Sequence, residues 1–240
     1  MRKLQIFAIA LLFAFASVFP VGTPAQASEC PSAFFMGLHG LDEDHTSDTV
    51  KAVWEAFSTR YGQTEEVVEV KHDVLTTREF LEAFGTLQNP IGAGVQVLDD
   101  EVSLAMATCS RAKIVLFGFS EGAWIVDAWL LQQDVNTLSY VAAVGVLGDP
   151  QYLRDDCCVG IARRLVGLPY PPKVPDRFWG NCANGDPICG GGYKDDPQRQ
   201  FDDAWKLTSD CTPHCKVYEP AATQPMGEAL ADQTVRYPTP

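Results

Sequence analysis

Lys113-Ile-Val-Leu-Phe117 is the most strand-like run in the chain. It leads without a break into Gly118-Phe119-Ser120-Glu121-Gly122 and then into Ala123–Leu131, which is apolar on most faces. The first run predicts a buried strand and the last a buried helix. Only a very tight turn can join them, and G-x-S-x-G between a strand and a helix is the pattern of a nucleophile elbow. Such a turn forces its Ser into a strained backbone conformation, and flanking glycines relieve the clashes. The Ser hydroxyl then projects at a helix N-terminus, where backbone N–H groups face developing negative charge.

The rest of the chain alternates in the same way. Strands are expected at Ala33–Gly37, Glu66–Val70, Tyr140–Leu147 and Arg177–Asn181, which with the run before Ser120 makes five. Helices are expected over Thr46–Tyr61, Thr76–Leu87 and Gly94–Cys109, and within Pro225–Gln233. Residues 151–175, rich in Pro and Gly, read as an irregular excursion, and the chain after Cys182 reads as loop up to the last helix. Strands alternating with helices predict an α/β fold, a parallel sheet covered on both faces in three layers.

A serine hydroxyl needs a base to take its proton, and His is the usual one. Of His39, His45, His72 and His214, only His214 follows Ser120, as the hydrolase order Ser, acid, His requires. The acid should lie between them on a loop after a strand. Asp186 fits best and Asp149, in Gly148-Asp149-Pro150, is second; Asp195, Asp196, Asp202, Asp203 and Asp210 read as a solvated face. The oxyanion hole needs the N–H of Glu121 and a second donor from the loop after the first strand, at Gly40 or Leu41.

Charge and cysteine place the chemistry. Met1-Arg-Lys3, an apolar run to Phe19 and Ala25-Gln26-Ala27 form the three regions of a secretory signal peptide, predicting cleavage after residue 27 and a mature domain over residues 28–240. The net charge of −13 opposes binding to nucleic acid, whose affinity is built from Lys and Arg on phosphates, and opposes docking on anionic membranes. No run beyond the leader is long enough to predict stable membrane insertion. All eight cysteines follow the leader, which predicts disulfides. Cys211-Thr-Pro-His214-Cys215 offers metal-ligating side chains, but its spacing matches no standard zinc pair, so neither a metal nor an organic cofactor is expected.

These residues together resemble the cutinase family of serine esterases. Cys182-Ala-Asn-Gly-Asp186-Pro-Ile-Cys189 is similar to the family's short disulfide loop carrying the catalytic Asp. Cys30 with Cys109 is similar to its other disulfide, and His214 with Tyr218 behind it precedes a final helix as in the family. The likeness runs from about Cys30 to Gln233. It implies Ser120 as nucleophile, Asp186 (over Asp149) as acid, His214 as base, and the bridges Cys30–Cys109 and Cys182–Cys189. It also implies a small α/β-hydrolase with a five-stranded parallel sheet and no large lid.

Three positions depart from the family pattern. Glu121 stands where Gln is usual, and His39-Gly40-Leu41 lacks the family's Ser or Thr. Cys157, Cys158, Cys211 and Cys215 are additional. A bridge between adjacent Cys157 and Cys158 would be strained, so these four are expected to tie residues 151–175 to the His214 loop.

The resulting expectation is a secreted, monomeric carboxylic-ester hydrolase acting on a lipid or polyester-type ester. An acyltransferase or phospholipase-like enzyme on the same triad, or a catalytically silent binding protein on this scaffold, are the alternatives.

Overall fold

The computed structural model describes residues 30–40, 48–62, 67–72, 76, 78–79, 82, 91–165, 167, 169–170, 173–207, 214, 218 and 220–238. In chain order the elements are β1 (Ala33–Leu38), α1 (Asp48–Tyr61), β2 (Val68–Glu69), α2 (Gly92–Thr108), β3 (Lys113–Phe119), α3 (Glu121–Gln132), α4 (Val135–Tyr140) and β4 (Val141–Leu147). A small hairpin of β5 (Leu153–Arg154) and β6 (Cys158–Val159) follows, then α5 (Ile161–Leu165), a 3-10 turn at Pro175–Arg177, β7 (Phe178–Asn181), α6 (Pro197–Ala204) and α7 (Pro220–Arg236).

Five strands form one sheet in the order β2-β1-β3-β4-β7, every neighbouring pair parallel. The five expected strands are these five. β3 and β4 are buried along their whole length, because a parallel sheet covered on both faces has no wet side. Alternation sorts their side chains between two cores. Ile114, Leu116, Val144 and Val146 join Leu98, Trp124 and Trp129 on the face covered by α2 and α3. Val115, Phe117, Phe119, Ala143 and Leu147 join Val53, Phe57 and Leu230 on the face covered by α1 and α7. Three layers result. Truncating fully buried Phe117 to Ala should cost about 3–5 kcal/mol.

Two regions differ from expectation. Residues 151–175 are not wholly irregular: they contain the β5–β6 hairpin and α5. The stretch after Cys182 holds α6, whose first turn is capped by the Asp196 carboxylate accepting from Arg199 N at 3.0 Å. The last helix also begins at Pro220, ahead of its expected start. The hairpin strands, α5 and α6 are too short to carry a periodic apolar pattern, which is why periodicity misses them. Of the expected Thr76–Leu87 helix only residues 76, 78, 79 and 82 are described. Thr76 and Glu79 there form a reciprocal capping box, with Thr76 N donating to Glu79 Oε2 at 2.9 Å and Glu79 N donating to Thr76 Oγ1 at 3.2 Å.

Three disulfides join described residues. Cys30–Cys109 ties the start of β1 to the end of α2, and Cys182–Cys189 closes the loop after β7, both as expected. The third corrects the expectation of cross-bracing: Cys157 is bonded to its neighbour Cys158. This segment meets the Cys182–Cys189 loop through hydrogen bonds instead: Ile161 N donates to Ile188 O at 2.8 Å, and buried Gln200 donates to both Val159 O and Pro187 O. Adjacent residues also have the least chain entropy to lose on closure. Cys211 and Cys215 lie outside the described residues, as do the leader at 1–27 and Leu41.

Candidate active site

The carboxyl ends of β1, β3, β4 and β7 meet at one edge of the sheet, and each delivers a piece of the site. β3 ends in Ser120, which has φ 55° and ψ −118° and is the one non-Gly residue with positive φ among those described. The strain is held by its surroundings. Ser120 N donates to Leu147 O at 2.9 Å, and Ser120 O accepts from Ala123 N and Trp124 N. Cβ atoms on the two flanking glycines would strike backbone, at 2.5 Å from Gly122 O for Gly118 and 2.5 Å from Leu38 O for Gly122. The turn is therefore closed to larger residues at both positions.

The loop after β1 presses on the elbow from the side. Gly122 N donates to His39 O at 3.1 Å, and a Cβ on Gly40 would lie 2.9 Å from the Cβ of Ser120. Gly40 is thus the residue that lets this loop touch the serine. Glu121, the other expected oxyanion residue, is buried at the first turn of α3 with its backbone next to Ser120. His39 stacks on His72 with ring centroids 4.5 Å apart, a pairing across β1 and β2 that no local motif announces.

β7 delivers Asp186 in the Cys182–Cys189 loop. Its carboxylate is fully buried and accepts from Ile188 N at 2.8 Å through Oδ1 and from the Tyr218 hydroxyl at 2.8 Å through Oδ2. His214 Nδ1 stands 2.8 Å from the same Oδ2, although its N–H is not aimed squarely at that oxygen. The imidazole stacks on Phe119 with centroids 5.1 Å apart, and its Cε1 lies 2.6 Å from where a Cβ on Gly148 would sit. So His214 is held over the residue preceding Ser120 and over the end of β4. Ser120 Oγ and His214 Nε2 are both buried and make no hydrogen bond among the described residues. Bonds of this kind are often long before substrate arrives.

The cutinase family profile matches residues 29–204. This chain is a member of the cutinase family. Its curated relatives match over shorter stretches. The cutinase of Hypocrea jecorina (strain QM6a) is 29% identical over 108 residues, 45% of this chain and 36% of that one. Carboxylesterase Culp1 of Mycobacterium tuberculosis (strain H37Rv) is 32% identical over 95 residues, 38% of this chain and 41% of that one. The alignments thus span about two fifths of those relatives' lengths. Among solved structures, a cutinase-like protein from Cryptococcus sp. superposes with TM-score 0.62 at 17% identity, covering 88% of this chain and 98% of the other. Trichoderma reesei cutinase bound to a phosphonate inhibitor gives 0.55 at 16%, covering 84% and 76%. These likenesses carry the α/β-hydrolase fold.

In this cutinase-family chain the second acid candidate, Asp149, occupies a different environment from Asp186. It is fully buried beyond β4, with Oδ1 accepting from Gln151 N at 2.7 Å. Its carboxyl faces that of Asp127 from α3 within hydrogen-bonding range, and neither Asp127 oxygen meets a protein donor among the described residues. Two carboxyls facing each other need a proton between them. Burial pushes Asp149 up to about 6, partly offset by hydrogen bonds and Arg163, while burial and the Asp149 charge push Asp127 well above the usual carboxylate range.

Sequence reasoning also missed Gln200. Fully buried on α6, its Nε2 donates to Val159 O at 3.0 Å and to Pro187 O at 2.7 Å, while its Oε1 accepts from Arg164 Nε. It sits in an acidic, exposed-looking segment, and only its tertiary neighbours mark it.

Proposed function

We propose that this chain is a secreted carboxylic-ester hydrolase working through an acyl-enzyme, with Ser120 as nucleophile, His214 as base and Asp186 as acid. The observation that carries the reading is the positive φ of Ser120 at the strand-to-helix elbow, beside the buried His214–Asp186 pair. A strained serine at a helix N-terminus has no structural purpose in a sheet of this kind. Its backbone strain is the arrangement that aims a hydroxyl at substrate.

In the reaction His214 Nε2 takes the Ser120 hydroxyl proton as Oγ attacks the ester carbonyl carbon. The carbonyl oxygen gains the negative charge, which the N–H of Glu121 and a donor from the Gly40–Leu41 loop would stabilise, each donor of this kind being worth about 3–4 kcal/mol. The tetrahedral intermediate collapses, the imidazolium gives its proton to the departing alkoxide, and an acyl-serine remains. Water then attacks the acyl carbon while giving a proton to His214; collapse releases the carboxylic acid and returns the proton to Ser120 Oγ. Asp186 holds the imidazole in one tautomer and stabilises its cation.

The three disulfides among the described residues support an oxidising compartment and so the secretory leader. No helix among the described residues is long and apolar enough to cross a membrane. The names of the relatives, a cutinase and a carboxylesterase, support a carboxylic ester as substrate, which we read as one of lipid or polyester type.

The test is turnover of p-nitrophenyl esters from acetate to palmitate, with fluorophosphonate labelling alongside. Ser120→Ala should lower kcat by roughly a million-fold and abolish labelling with the fold retained. Undiminished turnover in that variant would end the reading.

A further inference from the structure

We propose that Tyr218 is a positioning residue of this triad: its hydroxyl holds Asp186 by the oxygen that faces His214 and limits how strongly the carboxylate draws the imidazole proton. The inference rests on the triad reading above and extends it to a fourth side chain. The Tyr218 hydroxyl donates to Asp186 Oδ2 at 2.8 Å and accepts from Ala183 N at 3.0 Å. The Ala183 N–H occupies the lone-pair side of the phenol oxygen, so the phenol proton is directed at Asp186, and the two bonds strengthen one another in a dry site. Burial and the Asp186 charge hold the hydroxyl well above its usual pKa, so it remains a donor throughout the working range.

The Asp186 Oδ2 therefore accepts from Tyr218 while standing 2.8 Å from His214 Nδ1. The Cys189 sulfur, bound in its disulfide and without a proton to give, packs 3.1 Å from the same oxygen. Charge drawn toward the phenol is charge withheld from the imidazolium. The ring is also fixed: Tyr218 is buried edge-on to Phe119 at 5.6 Å and to His214 at 6.2 Å. One side chain thus touches the acid, the base and the residue before the nucleophile.

The readout is the acid limb of the pH profile of kcat/KM, which reports the base in the free enzyme. Removing the phenol proton in Tyr218→Phe leaves the carboxylate undivided, so His214 should bind its proton more tightly. The acid limb should then move up by about half a pH unit or more. Other titratable groups near the site are Tyr152 and Tyr193, neutral across this limb, His39 and Glu121 on the Ser120 side, and Asp149 with its partner Asp127 beyond Gly148. Because burial pushes the Asp149 carboxyl up to about 6, the comparison is repeated in an Asp149→Asn background, where the shift should persist.

An acid limb that stays in place or moves down in Tyr218→Phe overturns the proposal, whatever happens to kcat. If that variant fails to fold, site-specific 3-fluorotyrosine at position 218 decides: a stronger donor of nearly the same shape should move the limb down, and an unmoved limb overturns the proposal. Turnover surviving in His214→Ala would instead strike the triad itself, which separates the two failures.

Discussion

Asp186 and Asp149 are two fully buried carboxyls at the carboxyl ends of neighbouring strands, and their surroundings treat charge in opposite ways. Around Asp186 a backbone N–H and a phenol donate to the carboxylate, and an imidazole nitrogen stands 2.8 Å from one of its oxygens. Asp149 faces a second carboxyl, Asp127, and the pair is better off holding a proton. Burial alone therefore does not make a catalytic acid. A carboxylate becomes useful to a histidine when buried donors keep it charged and leave one oxygen facing the ring. Asp149 lies one residue beyond the glycine that the His214 ring touches, so the choice between the two acids is made by a few ångströms of hydrogen bonding.

The largest effect that could break this contrast is catalytic. Asp186→Asn should lower kcat about ten-thousand-fold with the fold retained, because an amide favours the wrong imidazole tautomer. Steady-state kinetics on a p-nitrophenyl ester check it; a loss of tenfold or less would remove Asp186 from the acid's role.

A smaller effect lies in stability. The folded Asp149 carboxyl titrates at about 6, whereas an unfolded Asp titrates near ~4. The folded state thus binds more protons between those values, so Asp149's contribution to stability is fully present below about pH 4 and is lost as pH rises through about 6. Asp149→Asn removes one charge, supplies an amide donor to Asp127 and keeps an oxygen for Gln151 N. Thermal melts of variant and parent should coincide near about pH 4 and separate above about pH 6, the variant melting about 3 °C higher or more. Its kcat should stay within about threefold of the parent. A parallel pair of melting curves, or a large loss of turnover, would dissolve the distinction between the two carboxyls.

The smallest effect sharpens the acid loop's side of the comparison. Gln200→Ala strips the bonds to Val159 O and Pro187 O, next to Asp186, and leaves Arg164 short of one acceptor. Chemical denaturation should show a loss of about 1–3 kcal/mol. Turnover should fall by less than tenfold, since Tyr218 and Ile188 still hold the carboxylate; a larger fall at unchanged stability would make Gln200 the chief positioner of the loop.

The sheet was legible because its strands are apolar throughout and its turns carry strong local signals. Ser120 was legible for the same reason, since a strand and a helix joined by G-x-S-x-G admit few backbone solutions. The Cys157–Cys158 bridge, the helix at Pro197–Ala204 and the roles of Gln200 and Tyr218 were not legible. The bridge joins neighbours, and the expected strain pointed away from it; Gln200 and Tyr218 depend on partners far away in sequence, and a short amphiphilic stretch such as residues 195–203 looks like solvated surface until its neighbours are known.

Local covalent chemistry and apolar patterning determined, from the sequence alone, that this chain would build a parallel sheet with a serine elbow at its centre. They also confined the candidate base to His214 by chain order and the candidate acid to a short list. Tertiary structure alone decided which buried carboxyl faces the imidazole and which faces a second carboxyl, Asp127. The physical reason is that a carboxyl's charge state depends on the groups within about 3 Å of it, and the ones that tell the two apart, Tyr218 and His214 at Asp186 and Asp127 of α3 at Asp149, are brought there only by folding.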